Sequence, residues 1–114
     1  MLLSESDKGY LSDIEDACID IMQFIKDTSI KDFENDKMKR FAVERQLLVI
    51  GEAANHLSQE LQDEYPSIPW KRIIGLRHII AHEYGEILVE RIYKNAIENV
   101  PDLKRGISKI LNAT

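Results

Sequence analysis

An all-α fold, an antiparallel up-and-down bundle of four main helices with a short C-terminal helix, is what this sequence predicts. Three observations predict it. Apolar residues recur at spacings of three and four through most of the chain. Glycine and proline number only five and three. No convincing run alternates apolar and polar residues with the period of two that a half-buried strand needs. With 114 residues and neither a repeat nor a low-complexity segment, the chain reads as one domain, 1–114.

The first helix is expected over about 6–27, where Leu11, Ile14, Cys18, Ile21 and Ile25 fall on one stripe. "DTSIKD" then supplies polar breakers and cap candidates. A long second helix is expected over about 36–63. Val43, Leu47, Ile50, Ala54, Leu57 and Leu61 form one apolar seam along it, while Met38, Phe41, Ala42, Leu48, Val49 and Ala53 fall toward the other side. A helix that is apolar on two sides is buried on two sides, and in a domain this small the second side is expected to face another subunit. Arg45, Glu52 and His56 are set into that second face. Polar groups there need partners, since one left buried and unpaired costs ~1–3 kcal/mol. Arg45 and Glu52 satisfying each other across two turns is one solution.

"EYPSIPW" reads as a turn, with Ser67 a plausible cap and Pro69 suited to a first helical turn. A third helix is expected over about 69–82, burying Trp70, Ile73, Leu76 and Ile80, with Gly85 marking its end or a kink. A fourth follows over about 88–99 through Val89, Ile92, Tyr93, Ala96 and Val100. Pro101 is expected to break it. "DLKRGISKILNAT" gives the short fifth helix, packing through Leu103, Ile107, Ile110 and Leu111.

Composition narrows the functions. Hydrophobic residues at 44% and charged residues at 31% describe a soluble globular protein. No apolar run approaches the ~18 residues of a membrane span, and "MLLSESDKGY" has neither the basic nor the apolar region of a signal peptide. The single cysteine, Cys18, excludes an intramolecular disulfide and reads as core packing, which suits a reducing cytoplasm. Fifteen basic against twenty acidic side chains give a net charge of −5. That argues against coating nucleic acid through a broad basic surface, though not against a focused phosphate site.

The chemistry concentrates in "RHIIAHEY", 77–84. Three readings fit it. Arg77, His78 and His82 can serve the carbonyls and dipole of a helix C-terminus. His78 and His82, four apart, can share a helix face toward a metal, with Glu83 and Glu86 nearby, although two histidines make an incomplete site. Finally, the group can handle phosphate. Arg77 offers a planar fork of donors matched to phosphate oxygens, and the imidazole of His82 can take or give a proton at neutral pH. Five residues of helix turn by roughly 500°, leaving Arg77 and His82 about 140° apart. They can line a groove formed against a symmetry mate, or converge if the helix ends before His82. Tyr84, seven residues from Arg77, would nearly align with it on a continued helix.

"RHIIAHEY" matches the R-x4-H-x-Y pattern, with a polar residue directly after the arginine, of HEPN-superfamily proteins. The blocks "VERQLLVIGEAANHLS" (43–58) and "YPSIPWKRIIGLRHIIAHEY" (65–84) resemble the HepT-like toxin family, and the resemblance spans most of the chain. Tyr93 stands where many relatives carry tryptophan, and His78 where asparagine is commoner. The resemblance implies a HEPN-like homodimer acting as a metal-independent endoribonuclease without cofactor, both motifs facing one cleft. It implies that Arg77 holds the scissile phosphate and that His82 is general base or acid on the ribose 2′-hydroxyl. His78, Arg45 and Glu52 would position or support. Tyr84 resembles the tyrosine that a cognate MNT-type nucleotidyltransferase antitoxin modifies with AMP. The alternative is a non-catalytic dimeric module that presents substrate or nucleotide to such a nucleotidyltransferase.

Overall fold

A computed structural model of the chain describes residues 2–83 and 85–113, with side chains outside that description at 85–87. Among the described residues every regular element is helical, and the architecture is a helical bundle.

Helix α1 (Glu5–Phe24) starts where the Ser4 hydroxyl accepts the Asp7 backbone N–H at 3.0 Å. Its stripe of Leu11, Ile14, Cys18 and Ile21 is fully buried. Burial pushes the Cys18 thiol up to about 12, with Glu15 adding to the shift, so Cys18 is an inert core residue as its position on the stripe suggested. The helix stops three residues before the expected end. Asp27 takes a left-handed conformation with φ of 57°, which a short polar side chain tolerates and which turns the chain. The segment expected as a linker then forms a one-turn helix, α2 (Ile30–Glu34), capped by Ser29. Its anchor is Phe33, which is wholly buried and lies 5.4 Å from the Tyr93 ring. The Tyr93 hydroxyl donates to the Thr28 carbonyl at 2.7 Å, tying this turn to the far end of the chain.

The long helix expected over 36–63 divides into α3 (Lys37–His56) and α4 (Gln59–Glu64). Leu57 is extended between them. The cause is long-range. Asp7, only 5% exposed, accepts from the Ser58 backbone N–H at 2.9 Å and from its hydroxyl at 2.6 Å, while that hydroxyl accepts from the Leu61 N–H at 3.2 Å. Ser58 therefore caps a new helix. The inner seam survives the break, for Val43, Leu47, Ile50, Ala54, Leu57 and Leu61 are all buried.

Helix α5 (Trp70–His82) follows the Pro66–Pro69 turn, where the Trp70 indole N–H donates to the Tyr65 carbonyl at 3.0 Å. It buries Trp70, Ile73 and Leu76. The remaining chain is a continuous helical rod. Helix α6 (Gly85–Lys94) leads into a π-helical turn (Asn95–Asn99) and then α7 (Val100–Asn112). Pro101 therefore does not break the helix. The Val100 N–H reaches back to the Asn95 carbonyl, a five-residue step that widens the turn just before Pro101. The ring, which would clash with the carbonyl four residues back in a regular α-helix, is accommodated at the start of α7. Fourth and fifth helices are thus joined in register-shifted continuity. Helix α1 packs on α3 and α7, and α3 packs on α5.

Candidate active site on α3 and α5

Arg77 is the best-defined member of the site. Helix α5 crosses α3 at Gly51, close enough that a Cβ added there would lie 2.9 Å from the Arg77 Cγ and 3.3 Å from the Ile73 carbonyl oxygen. The arginine stem therefore lies across a helix surface that only glycine leaves open. One residue further along α3, Glu52 accepts a bond from Arg77 Nε at 2.6 Å. Since the bond uses Nε, both terminal nitrogens of the guanidinium keep their donors for a ligand. The two side chains are 38% and 48% exposed. An ion pair this open contributes only ~0–1 kcal/mol to stability, so its consequence is orientation.

The possibility that Arg45 and Glu52 pair with each other is not realised, because Glu52 is taken by Arg77. Arg45 makes no hydrogen bond or ion pair among the described residues. It lines a shallow groove of about 220 Å³ together with Tyr10, Leu48, Glu52 and His56. Tyr10 stacks on His56 there, with ring centroids 5.2 Å apart and planes 16° from parallel. This groove runs along the second apolar side of α3. Met38 is 85% exposed and Phe41 55%, whereas Leu48 and Val49 are half-buried and Ala53 is buried.

His78 and His82 are both exposed on the last turns of α5, with ring centroids 4.3 Å apart. The helix runs through His82 and ends at Glu83, which is extended. The option that Arg77 and His82 converge through an earlier helix end is therefore closed, and helical geometry leaves them about 140° apart. The continued helix that would align Tyr84 with Arg77 also fails at Glu83, and Tyr84 itself lies outside the described residues. Glu83 forms an ion pair with Arg91 of α6, and its Oε2 is buried without a hydrogen-bond partner among the described residues. Of the metal reading, the histidine pair is present, but no group of three or more His, Cys, Asp or Glu among the described residues gathers around a common point.

Gly51 and the Glu52–Arg77 bond escape sequence reasoning. A lone glycine in an apolar helical run signals close backbone approach, but which helix approaches depends on packing between residues 22 or more apart.

The family model described as "Ribonuclease HepT-like" matches residues 14–110. A Thermococcus cleftensis protein named "Probable ribonuclease HepT" is 33% identical over 108 residues, covering 95% of this chain and 98% of its own length. A Methanocaldococcus jannaschii protein named "Putative RNase" is 37% identical over 100 residues, covering 88% of this chain and 92% of its own. No solved structure matches the chain.

Proposed function

The chain belongs to the HepT-like ribonuclease family, and from that premise we propose that it is a metal-independent endoribonuclease, the toxin of a toxin–antitoxin pair. The observation that carries the reading is the setting of Arg77. Its stem is fixed over Gly51, its Nε is held by Glu52, and its terminal nitrogens are left to donate. A guanidinium so held is preorganised for a phosphate and for the charge that develops on it.

His82 supplies the proton transfer. As a neutral imidazole it takes the proton of the ribose 2′-hydroxyl while that oxygen attacks phosphorus. The bond from phosphorus to the 5′ oxygen breaks, and a protonated imidazole returns a proton to the leaving oxygen. The products are a 2′,3′-cyclic phosphate and a 5′-hydroxyl, and DNA, lacking the 2′-hydroxyl, is spared. His78, beside His82, positions the substrate.

A homodimer completes the cleft. Met38, Phe41, Arg45, Leu48 and Glu52 succeed one another at steps of three and four along α3, the spacing of a helix–helix seam. Two exposed apolar residues on that seam favour a second copy as its cover. Because Arg77 and His82 diverge around α5, a cleft between copies is where both can meet one phosphate. Arg45 supports that interface. Tyr84 is the acceptor for AMP from a cognate nucleotidyltransferase, since AMP there adds bulk and negative charge where substrate must bind.

Expression of wild type and His82→Ala tests the reading. Wild type arrests growth and His82→Ala does not, while both elute as dimers. Toxicity that survives in His82→Ala rejects the assigned role. Co-expression with the nucleotidyltransferase adds the mass of AMP to wild type and not to Tyr84→Phe; an adduct on the latter rejects the acceptor.

A further inference from the structure

Among the described residues a second cleft lies apart from the shallow groove on α3. It has a volume of about 310 Å³ and is bounded by α3, α5, the π turn and α7. Its base is apolar, formed by Leu47, Ile50, Ile73 and Leu76, all buried. Its edge is cationic. Arg72 of α5 and Lys109 of α7 both line it, both exposed, and neither makes a hydrogen bond or ion pair among the described residues. A third cation, Arg105, is paired with Asp102.

The π turn contributes the polar recognition. The Asn99 amide N–H donates to Asn95 Oδ1 at 2.9 Å, and the Asn95 amide donates to the Arg91 carbonyl at 2.8 Å. One hydrogen on each amide and the Asn99 carbonyl oxygen remain unclaimed among the described residues. Placing a donor and an acceptor side by side at the edge of an apolar cleft is what a planar heteroaromatic edge requires. Both asparagines lie in the π turn and line this cleft, and π turns are frequent at functional sites.

We infer that this cleft takes one unstacked nucleotide of single-stranded RNA, its base on the apolar floor against Asn95 and Asn99 and its flanking phosphates at Arg72 and Lys109. The volume is at the lower end of the ~300–1,000 Å³ of small-molecule pockets, which suits a single nucleotide. A chain of net charge −5 offers RNA no net attraction, so affinity must come from local sites such as unpaired cations beside an apolar floor. Arg72 lies five residues before Arg77 on α5, about 7.5 Å along the axis and about 140° around it, so a strand that wraps α5 from the motif reaches the cleft. The assignment rests on the ribonuclease reading for its substrate, while its test does not depend on catalysis.

The test is fluorescence anisotropy of a labelled, fully 2′-O-methylated RNA oligonucleotide, which cannot be cleaved, titrated with the full chain at several salt concentrations. Arg72→Ala and Lys109→Ala should each weaken binding by about tenfold. Each should also flatten the dependence of log K on log[salt] by about 0.7, the loss of one single-strand phosphate contact. Leu103→Trp, which fills the cleft from α7, should weaken binding without changing that slope. Lys71→Ala removes the same charge from α5 outside the cleft and should leave affinity nearly unchanged. Equal losses in Lys71→Ala and Arg72→Ala, or unchanged affinity in the cleft variants, would overturn the assignment. So would cleft variants that keep RNA affinity but lose a protein partner. Wild type that binds in this pattern yet cuts no unmodified RNA would sustain the subsite and sink the proposed reaction alone.

Discussion

Replacing Gly51 with alanine separates the construction of the site from the stability of the fold. In isolation the change favours α3, since alanine exceeds glycine in helix propensity by ~0.8–1 kcal/mol. The new methyl, however, would sit 2.9 Å from Arg77 Cγ, 3.3 Å from the Ile73 oxygen and 3.5 Å from the Arg77 nitrogen. Carbon atoms in optimal contact lie ~3.5–4.0 Å apart, so the stem must retreat by about 0.6–1 Å. Overpacking of this kind costs ~1–3 kcal/mol. Set against the propensity gain, the net destabilisation is between about 0 and 2 kcal/mol, a fall in Tm of several degrees at most. Catalysis suffers more, because a displacement near 1 Å of a catalytic group can cost ~100-fold. Gly9→Ala is the control. Gly9 lies in the second turn of α1, exposed, with nothing within 4 Å of its added Cβ, and alanine there should raise stability by ~0.5–1 kcal/mol without touching activity. Calorimetry and cleavage rates on both variants decide the matter. If Gly51→Ala is as stabilising as Gly9→Ala and cleaves RNA at the wild-type rate, Arg77 is not held as described.

Asp7→Ala leaves the Ser58 N–H and hydroxyl without their partner and should lower stability by about 2–3 kcal/mol, read as a shift in urea midpoint at constant m. Asp7→Asn should recover part of it; equal losses would mean the hydrogen bonds are not what matters. Cys18, with its thiol raised to about 12, should resist a thiol reagent at pH 8 in the folded protein and react at once in denaturant. Rapid native labelling would contradict its burial. Burial raises the Glu44 carboxyl above its ordinary 4.5, partly opposed by Arg40. A raised carboxyl contributes stability that is fully present below pH 4.5 and lost as pH rises through the folded value. Glu44→Gln should therefore be more stable than wild type at pH 7, and the gap should close by pH 4. A gap that stays constant with pH would refute the assignment.

What the sequence discloses follows the range of the forces involved. The seam from Val43 to Leu61 and the stripe from Leu11 to Ile21 are visible because burial imposes a helical period on neighbouring residues. The outer face of α3 shows the same period although Met38 and Phe41 are exposed in the single chain, and the α5 motif is visible through its residue types and their spacing. The break at Leu57 is not visible, because it depends on Asp7, 51 residues from Ser58 along the chain. Pro101 misleads because local rules predict a stop, whereas one widened turn absorbs the ring. Glu52 was recognisable as a polar residue on an apolar face, but its partner proved to be Arg77 from another helix instead of Arg45 on its own. The 310 Å³ cleft assembles residues from three separate segments and leaves no pattern in any one of them.

RNA cleavage at a site built from Arg77 and His82 is decided by incubating purified protein with single-stranded RNA in excess EDTA and analysing the product ends. Wild type should cut and leave 2′,3′-cyclic phosphate and 5′-hydroxyl termini, with His82→Ala inactive and Arg77→Ala slowed by ~100-fold or more. Cleavage that needs added metal, 3′-hydroxyl termini, or full activity in either variant would rule out this reaction at Arg77 and His82.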